Sequence, residues 1–128
     1  MINKSLIGFW NTQSVNTSSC EILNSSFDLL FLSETWLKKN QKNPLLLKYK
    51  EILCLDNEIY NTNSKRNYAG LLLVQNINSN IPYNIISYSP FYIHLYIYTY
   101  NFIFIYFNPS YTYIDLLNTK FDFIMQFF

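Results

Sequence analysis

A chain of 128 residues has room for one domain at most. Half of its residues are apolar and a fifth are aromatic, so it can supply a core, while charged residues make up only 13%. A net charge of +1 gives no basic field, which excludes strong nonspecific binding to nucleic acid. Residues 1–4 are followed by too short an apolar stretch for a signal peptide, so we expect an intracellular protein of the nucleus or cytoplasm.

The first elements in the chain are a strand, a helix and a second strand. Residues 6–11 form a short apolar run that predicts the first strand. Ser18 and Glu21 fit a capping box, because Glu21 lies three residues later and can reach back to the Ser18 amide, so we expect a helix to begin there. Residues 24–26 should end it. One face of this helix should pack on a sheet and carries Cys20, Leu23 and Phe27.

The middle of the chain alternates between strands and polar loops. Residues 28–33 predict the second strand, and residues 49–55 and 70–75 predict two more. Residues 38–44 and 57–67 are typical of loops. Residues 76–83 predict a turn region, and residues 85–88 a short strand after it.

Cys20 and Cys54 have no CxxC partner, so we expect reduced, buried thiols and no zinc site.

The last third of the chain begins with an aromatic segment at residues 91–107. This segment is shorter than the roughly 20 residues that a helix needs to span a bilayer. It also alternates between two faces, one with Phe91, Ile93, Leu95 and Ile97, the other with Tyr92, His94, Tyr96 and Tyr98. A period of two predicts a β-hairpin, with residues 99–101 turning the chain. A final helix is indicated by apolar residues at helical spacing: Ile114, Leu117, Phe121, Ile124 and Phe128.

The segment 27–37 is the most informative part of the sequence. Its apolar run predicts a strand buried on both faces, and it ends abruptly in Ser33-Glu34-Thr35-Trp36-Leu37. A carboxylate at the end of such a strand is held on a rigid element, where metal-dependent enzymes place a ligand. The alternative is that Glu34 is only the first solvated residue after a strand.

Three predicted strands, which end near Asn11, Ser33 and Tyr106, resemble in their order and end residues the endonuclease/exonuclease/phosphatase superfamily. The closest likeness is to the apurinic-type endonuclease domain of non-LTR retrotransposons. Its motifs match here as Trp10-Asn11, as Ser33 to Leu37, as the Gly-led strand at residues 70–74, and as residues 106–109, where Asn108 replaces a proline. The resemblance implies an α/β fold: a partial two-sheet sandwich flanked by helices, corresponding to the N-terminal half of a DNase I-like fold.

The resemblance also implies a hydrolytic site that cleaves phosphodiesters. Glu34 matches the family's metal-binding glutamate, and Mg²⁺ is the implied cofactor. Asn11 matches the asparagine beside the metal and the phosphate, and Tyr106 matches the tyrosine whose hydroxyl contacts the phosphate. DNA, RNA, phospholipid and phosphoinositide all remain open as substrates, with DNA the partner that a complete endonuclease domain implies.

The family's second half supplies an Asp-x-Asn strand end, a further Asp and a Ser-Asp-His-like ending, and none of these appears here. The single histidine, His94, lies inside a predicted strand and matches no catalytic position. We therefore expect residues 1–128 to be a truncated domain with little or no activity alone. The alternatives are a non-enzymatic remnant or interaction module that keeps the half-fold, and a phosphatase or phospholipase of the superfamily. Uncovered strand edges should favour self-association.

Overall fold

Seven strands and one α-helix make up most of the regular structure of the described residues, which are 4–37, 42–55, 70–89 and 91–106 of a computed structural model. A 3-10 helix, Pro44–Leu47, precedes the third strand. In chain order the elements are β1 (Ile7–Asn11), α1 (Val15–Leu23), β2 (Leu29–Ser33), β3 (Tyr49–Leu55), β4 (Leu71–Asn76), β5 (Tyr83–Ser89), β6 (Tyr92–Ile97) and β7 (Tyr100–Ile105). The expected α/β class is confirmed.

The strands form two sheets. Sheet A has the order β1-β2-β4-β3, in which β1 and β2 are parallel and the other pairs are antiparallel. Sheet B has the order β5-β6-β7 and is antiparallel throughout. A parallel pair of consecutive strands needs a crossover, and α1 supplies it between β1 and β2. The first two strands therefore end at the same edge of sheet A.

The β2 strand is buried on both faces, as its continuous apolar run predicts. All five of its residues are buried. Leu30 and Leu32 belong to a cluster with Val15 and Ile22 of α1, while Leu29 and Phe31 face sheet B. β4 repeats this arrangement, because Leu72 and Val74 join the cluster of α1 whereas Leu71 and Leu73 face sheet B. The central strands thus separate two apolar layers.

Sheet B packs against the other face of sheet A. Ile93, Leu95 and Ile97 of β6 join the Phe31 cluster, and the Phe104 ring stacks on Phe31 with 4.7 Å between the ring centroids. The alternation predicted for residues 91–107 is therefore real on the inner face. The order of layers is α1, sheet A and sheet B.

The predicted start of the helix is wrong. α1 begins at Val15, three residues before Ser18, and no side chain caps it. The amides of Ser14 and Val15, which have no acceptor within the helix, donate to the carbonyls of Glu34 and Thr35 at 2.8 and 3.0 Å. Because those partners lie far along the chain, a local capping pattern cannot reveal them. The Ser18 hydroxyl is inside the helix and donates to the Thr12 carbonyl at 2.8 Å.

The buried face of α1 is also rotated from the predicted one. Val15 and Ile22 are fully buried, Leu23 is half-buried and Cys20 is exposed. Phe27, which was expected on the same helical face, lies beyond the end of α1 and is half-buried. Cys54 is exposed as well, so the expectation of buried thiols is wrong for both cysteines. Val15 and Ile22 are seven residues apart and therefore share a face, and Cys20 lies away from that face. The predicted end of the helix is correct, since Asn24 is its C-cap.

The aromatic segment forms the expected hairpin, but the chain turns earlier than predicted. β6 and β7 pair in antiparallel register, and the turn is at Tyr98 and Thr99, with Tyr98 in the left-handed region at φ 55°. His94 is packed in the sheet, with Nε2 2.9 Å from Asn101 Oδ1. The predicted final helix, the loop at 57–67 and Asn108 lie outside the described residues.

Two further expectations concern the surface. Within the described residues, no helix combines the length and apolarity needed to cross a membrane. β1 and β3 are the outer strands of sheet A, and β5 and β7 are the outer strands of sheet B, as far as the described ranges extend. Self-association through these edges stays a prediction.

Candidate active site

Two of the three predicted site residues lie at neighbouring strand ends. Asn11 is the last residue of β1 and pairs in register with Ser33, the last residue of β2. Glu34 follows Ser33 directly, so its backbone is one residue beyond the end of the parallel pair. The side chain of Asn11 is exposed, whereas Glu34 is half-buried. The two residues therefore lie at one end of the parallel pair, of which β2 is buried along its whole length.

The third predicted residue, Tyr106, contacts the end of β2 through Glu34. The Tyr106 hydroxyl donates a hydrogen bond to Glu34 Oε1 at 2.5 Å, across 72 positions of sequence. Tyr106 follows β7, and its amide donates to the Phe91 carbonyl at 2.8 Å, which fixes the backbone after that strand. A bond of this length between a hydroxyl and a carboxylate is charge-assisted and strong. The ends of β2 and β7 therefore meet.

Backbone strain is concentrated beside this contact. Glu34 has φ 51° and Trp36 has φ 56°, both in the left-handed region that residues other than glycine rarely adopt. The facing loop between β1 and α1 holds Gln13 at φ 47° and Ser14 at φ 87°. These are four of the five non-glycine residues with positive φ in the described residues. Strain of this kind persists only where surrounding contacts enforce it.

Contacts between the two strained segments supply that enforcement. The Thr12 amide donates to the Ser33 carbonyl at 2.9 Å, and the Thr12 hydroxyl lies 3.1 Å from the same oxygen and 2.9 Å from the Glu34 carbonyl. The Glu34 carbonyl also accepts from the Ser14 amide. Thr12 is 4% exposed, so these bonds are shielded from water. Sequence reasoning missed Thr12, because no local pattern marks a hydroxyl that serves a carbonyl 22 residues away.

Gly70 shapes the other side of the same segment. It has φ 114°, and a Cβ there would collide with the Thr35 hydroxyl oxygen. The Thr35 amide donates to the Gly70 carbonyl at 3.4 Å, and Leu71 pairs with Ser33. The glycine that leads β4 is thus required where the chain passes Thr35.

Ser33 contributes a buried hydroxyl at the same strand end. Its side chain is 0% exposed, and within the described part of the chain its Oγ has no hydrogen-bond partner. Ser33 is two residues after Phe31 along β2, so the two side chains lie on the same face, toward sheet B. Sequence reasoning named Ser33 only as part of a motif and assigned no role to this hydroxyl.

Mg²⁺ suits the chemistry of these side chains. Glu34 offers a carboxylate and Asn11 an amide, both hard oxygen donors of the kind that Mg²⁺ prefers. In the described ranges no group of three or more histidine, cysteine, aspartate or glutamate side chains gathers around a point. Mg²⁺ commonly keeps several waters and takes only one or two carboxylates from the protein. The residues therefore fit a weakly held ion.

Comparisons with known proteins add no further assignment. The chain matches no protein-family model, no curated protein and no solved structure.

Proposed function

We propose that this chain carries part of the active site of an endonuclease-type, Mg²⁺-dependent phosphodiester hydrolase. The observation that supports this best is the hydrogen bond from Tyr106 to Glu34. It joins residues that the resemblance assigns to phosphate binding and metal binding, although they are 72 positions apart and follow strands of different sheets.

Each residue has a role that follows from its chemistry. Glu34 would hold Mg²⁺, and Asn11 would lie beside it, where its amide can bind a water of the ion or donate to a phosphate oxygen. When bound, Mg²⁺ would neutralise charge on the phosphate. Tyr106 orients the Glu34 carboxylate by donating its single hydroxyl proton to Oε1. To donate to a phosphate oxygen, the same hydroxyl would have to turn away from Glu34.

These residues supply no general base. Phosphodiester hydrolysis needs a group that takes the proton of the attacking water, and the resemblance assigns it to an aspartate and a histidine absent from these 128 residues. The lone histidine, His94, is packed on sheet B against Asn101. We therefore propose that these residues bind metal and phosphate but do not cleave by themselves.

A binding experiment tests the metal site directly. Titration of the purified chain with Mn²⁺, followed by electron paramagnetic resonance, should detect an ion whose affinity falls in Glu34→Gln. Glu21→Gln is the matched control, because Glu21 is an exposed carboxylate on α1 with no part in the site. Equal loss in the two variants would count against the site, since it would reduce Glu34 to a surface charge.

A cleavage experiment tests the reaction class. The chain alone with Mg²⁺ should not nick plasmid or cut abasic DNA above a Glu34→Ala background. Addition in trans of a polypeptide carrying the Asp-x-Asn and Ser-Asp-His elements should produce cleavage that depends on Glu34. Cleavage of a phosphoinositide and not of DNA would move the protein to the phosphatase branch. If no substrate is cut and no metal binds, the alternative of a non-enzymatic module is favoured.

A further inference from the structure

We infer that Thr12 is a positioning residue for Glu34, an inference that rests on the proposed function for its link to metal binding. Thr12 touches neither a reacting atom nor the Glu34 carboxylate. It acts on the backbone, through a hydroxyl that is 3.1 Å from the Ser33 carbonyl and 2.9 Å from the Glu34 carbonyl. Its effect on the site would be to select the left-handed conformation of Glu34.

The direction of the Glu34 side chain depends on the conformation of its backbone. At φ 51° the side chain leaves the backbone in a direction that an extended residue could not give it. That direction brings Oε1 to 2.5 Å from the Tyr106 hydroxyl. If Glu34 relaxed to negative φ, its carboxylate would leave Tyr106 and the edge of sheet A. Retention of the site therefore requires a contact that stabilises the strained backbone.

Thr12 is well placed to supply that contact. It is 4% exposed, it lies one residue after β1, and its own carbonyl accepts from the Ser18 hydroxyl of α1 at 2.8 Å. Its position is therefore fixed from two sides, by the sheet and by the helix. A hydroxyl held in this way shares its single proton between two successive carbonyls, with the shorter distance to Glu34. The Ser14 amide adds a further bond to Glu34, but any residue except proline could provide that amide.

Three variants separate a positioning role from a general structural one. Thr12→Val keeps the shape of the side chain and removes the hydroxyl, whereas Thr12→Ser keeps the hydroxyl and removes the methyl group. Thr17→Val is the matched control, because Thr17 is an exposed residue on α1. A role in packing predicts a larger defect in the serine variant, and a role through the hydroxyl predicts a larger defect in the valine variant.

The decisive readout is the environment of Tyr106. The probe is 3-fluorotyrosine placed at position 106 alone. In the Glu34→Gln variant, its ¹⁹F resonance shows the chemical shift of Tyr106 when the neighbouring carboxylate has been removed. We expect Thr12→Val to shift the resonance toward that position, while Thr12→Ser and Thr17→Val stay at the wild-type position. Folded and unfolded populations give separate resonances, so a destabilised variant still reports on its folded fraction. A Thr12→Val resonance at the wild-type position would overturn the inference.

Metal binding provides the second readout. We expect Thr12→Val to weaken Mn²⁺ binding by about tenfold, the lower end of the range for residues that orient a metal ligand, and Thr12→Ser to restore it. If the wild-type chain binds no Mn²⁺, the proposed function loses its support, but the fluorotyrosine resonance still decides whether Thr12 positions Glu34. If Mn²⁺ binds and the valine variant binds it equally well, the positioning role is refuted and the metal site stands.

Discussion

Replacement of Glu34 by glycine should leave the protein more stable than replacement by alanine. This reverses the usual order, because glycine in regular structure is normally less stable than alanine. The reason is the left-handed backbone of Glu34, with φ 51°. Both substitutions remove the hydrogen bond from Tyr106, so its loss cancels when the two variants are compared.

The size of the difference follows from two opposing terms. A side chain in the left-handed region costs about 1–2 kcal/mol, and glycine escapes this cost. Glycine also gains about 0.4–1 kcal/mol of conformational freedom in the unfolded chain, which acts against the folded state. The remainder favours Glu34→Gly over Glu34→Ala by roughly 0.5–1 kcal/mol.

Urea unfolding measures this difference, with the midpoint and slope fitted for each variant. Glu21 provides the matched control, because it is exposed on α1 and has an ordinary helical backbone. There Glu21→Gly should be less stable than Glu21→Ala by about 0.5–1 kcal/mol. If glycine is the less stable substitution at both positions, the backbone at Glu34 is not strained and the inference drawn from it fails.

Three further variants test the packing around the site by the same unfolding assay. Gly70→Ala should cost at least about 2 kcal/mol, because it combines a φ of 114° with a collision on the Thr35 hydroxyl; wild-type stability would show that the loop adjusts freely. Phe31→Ala should cost about 3–5 kcal/mol by opening a cavity between the two sheets. A cost no larger than that of an alanine substitution at an exposed position would refute the packing of Phe31 between the sheets. Lys48→Met should cost about 1–2 kcal/mol, since the Lys48 ammonium donates to the carbonyls of Leu23 and Ser25 at the C-terminal end of α1, whereas exposed Lys50→Met should be nearly neutral.

Patterns in the sequence predicted the strands well where the reason for the pattern is local. The run at residues 28–33 has apolar side chains on both faces, and β2 is buried on both faces. The strand predicted at 49–55 has those bounds in the structure. The alternation at 91–107 matches the inner face of β6. In each case the period of the side chains records directly which faces are covered.

The errors arise where a distant contact replaces a local one. The capping box at Ser18 looked sufficient to begin a helix, but carbonyls of the β2 strand end satisfy the amides of Ser14 and Val15. The hairpin turn at Tyr98 uses a left-handed residue that is neither glycine nor asparagine, so composition did not mark it. No single-sequence pattern records such partners.

The candidate site was anticipated only in part. Glu34, Asn11 and Tyr106 were selected by resemblance, and the structure joins Glu34 to Tyr106 and sets Asn11 at the adjoining strand end. Their roles in binding metal and phosphate stay predictions. Thr12 was not anticipated, because its contacts depend on how β1 and β2 align.

The places where local rules fail coincide with the candidate site. A helix begins without a side-chain cap, Glu34 and Trp36 occupy a conformation suited to glycine, and Ser33 carries a buried hydroxyl with no partner among the described residues. A sequence selected only for folding would agree with its structure at each of these points. Exceptions of this kind are expected at functional sites, where stability is given up for geometry. They support the proposed site on grounds that are independent of any family resemblance. The comparison of glycine with alanine at Glu34 measures the stability that is given up there.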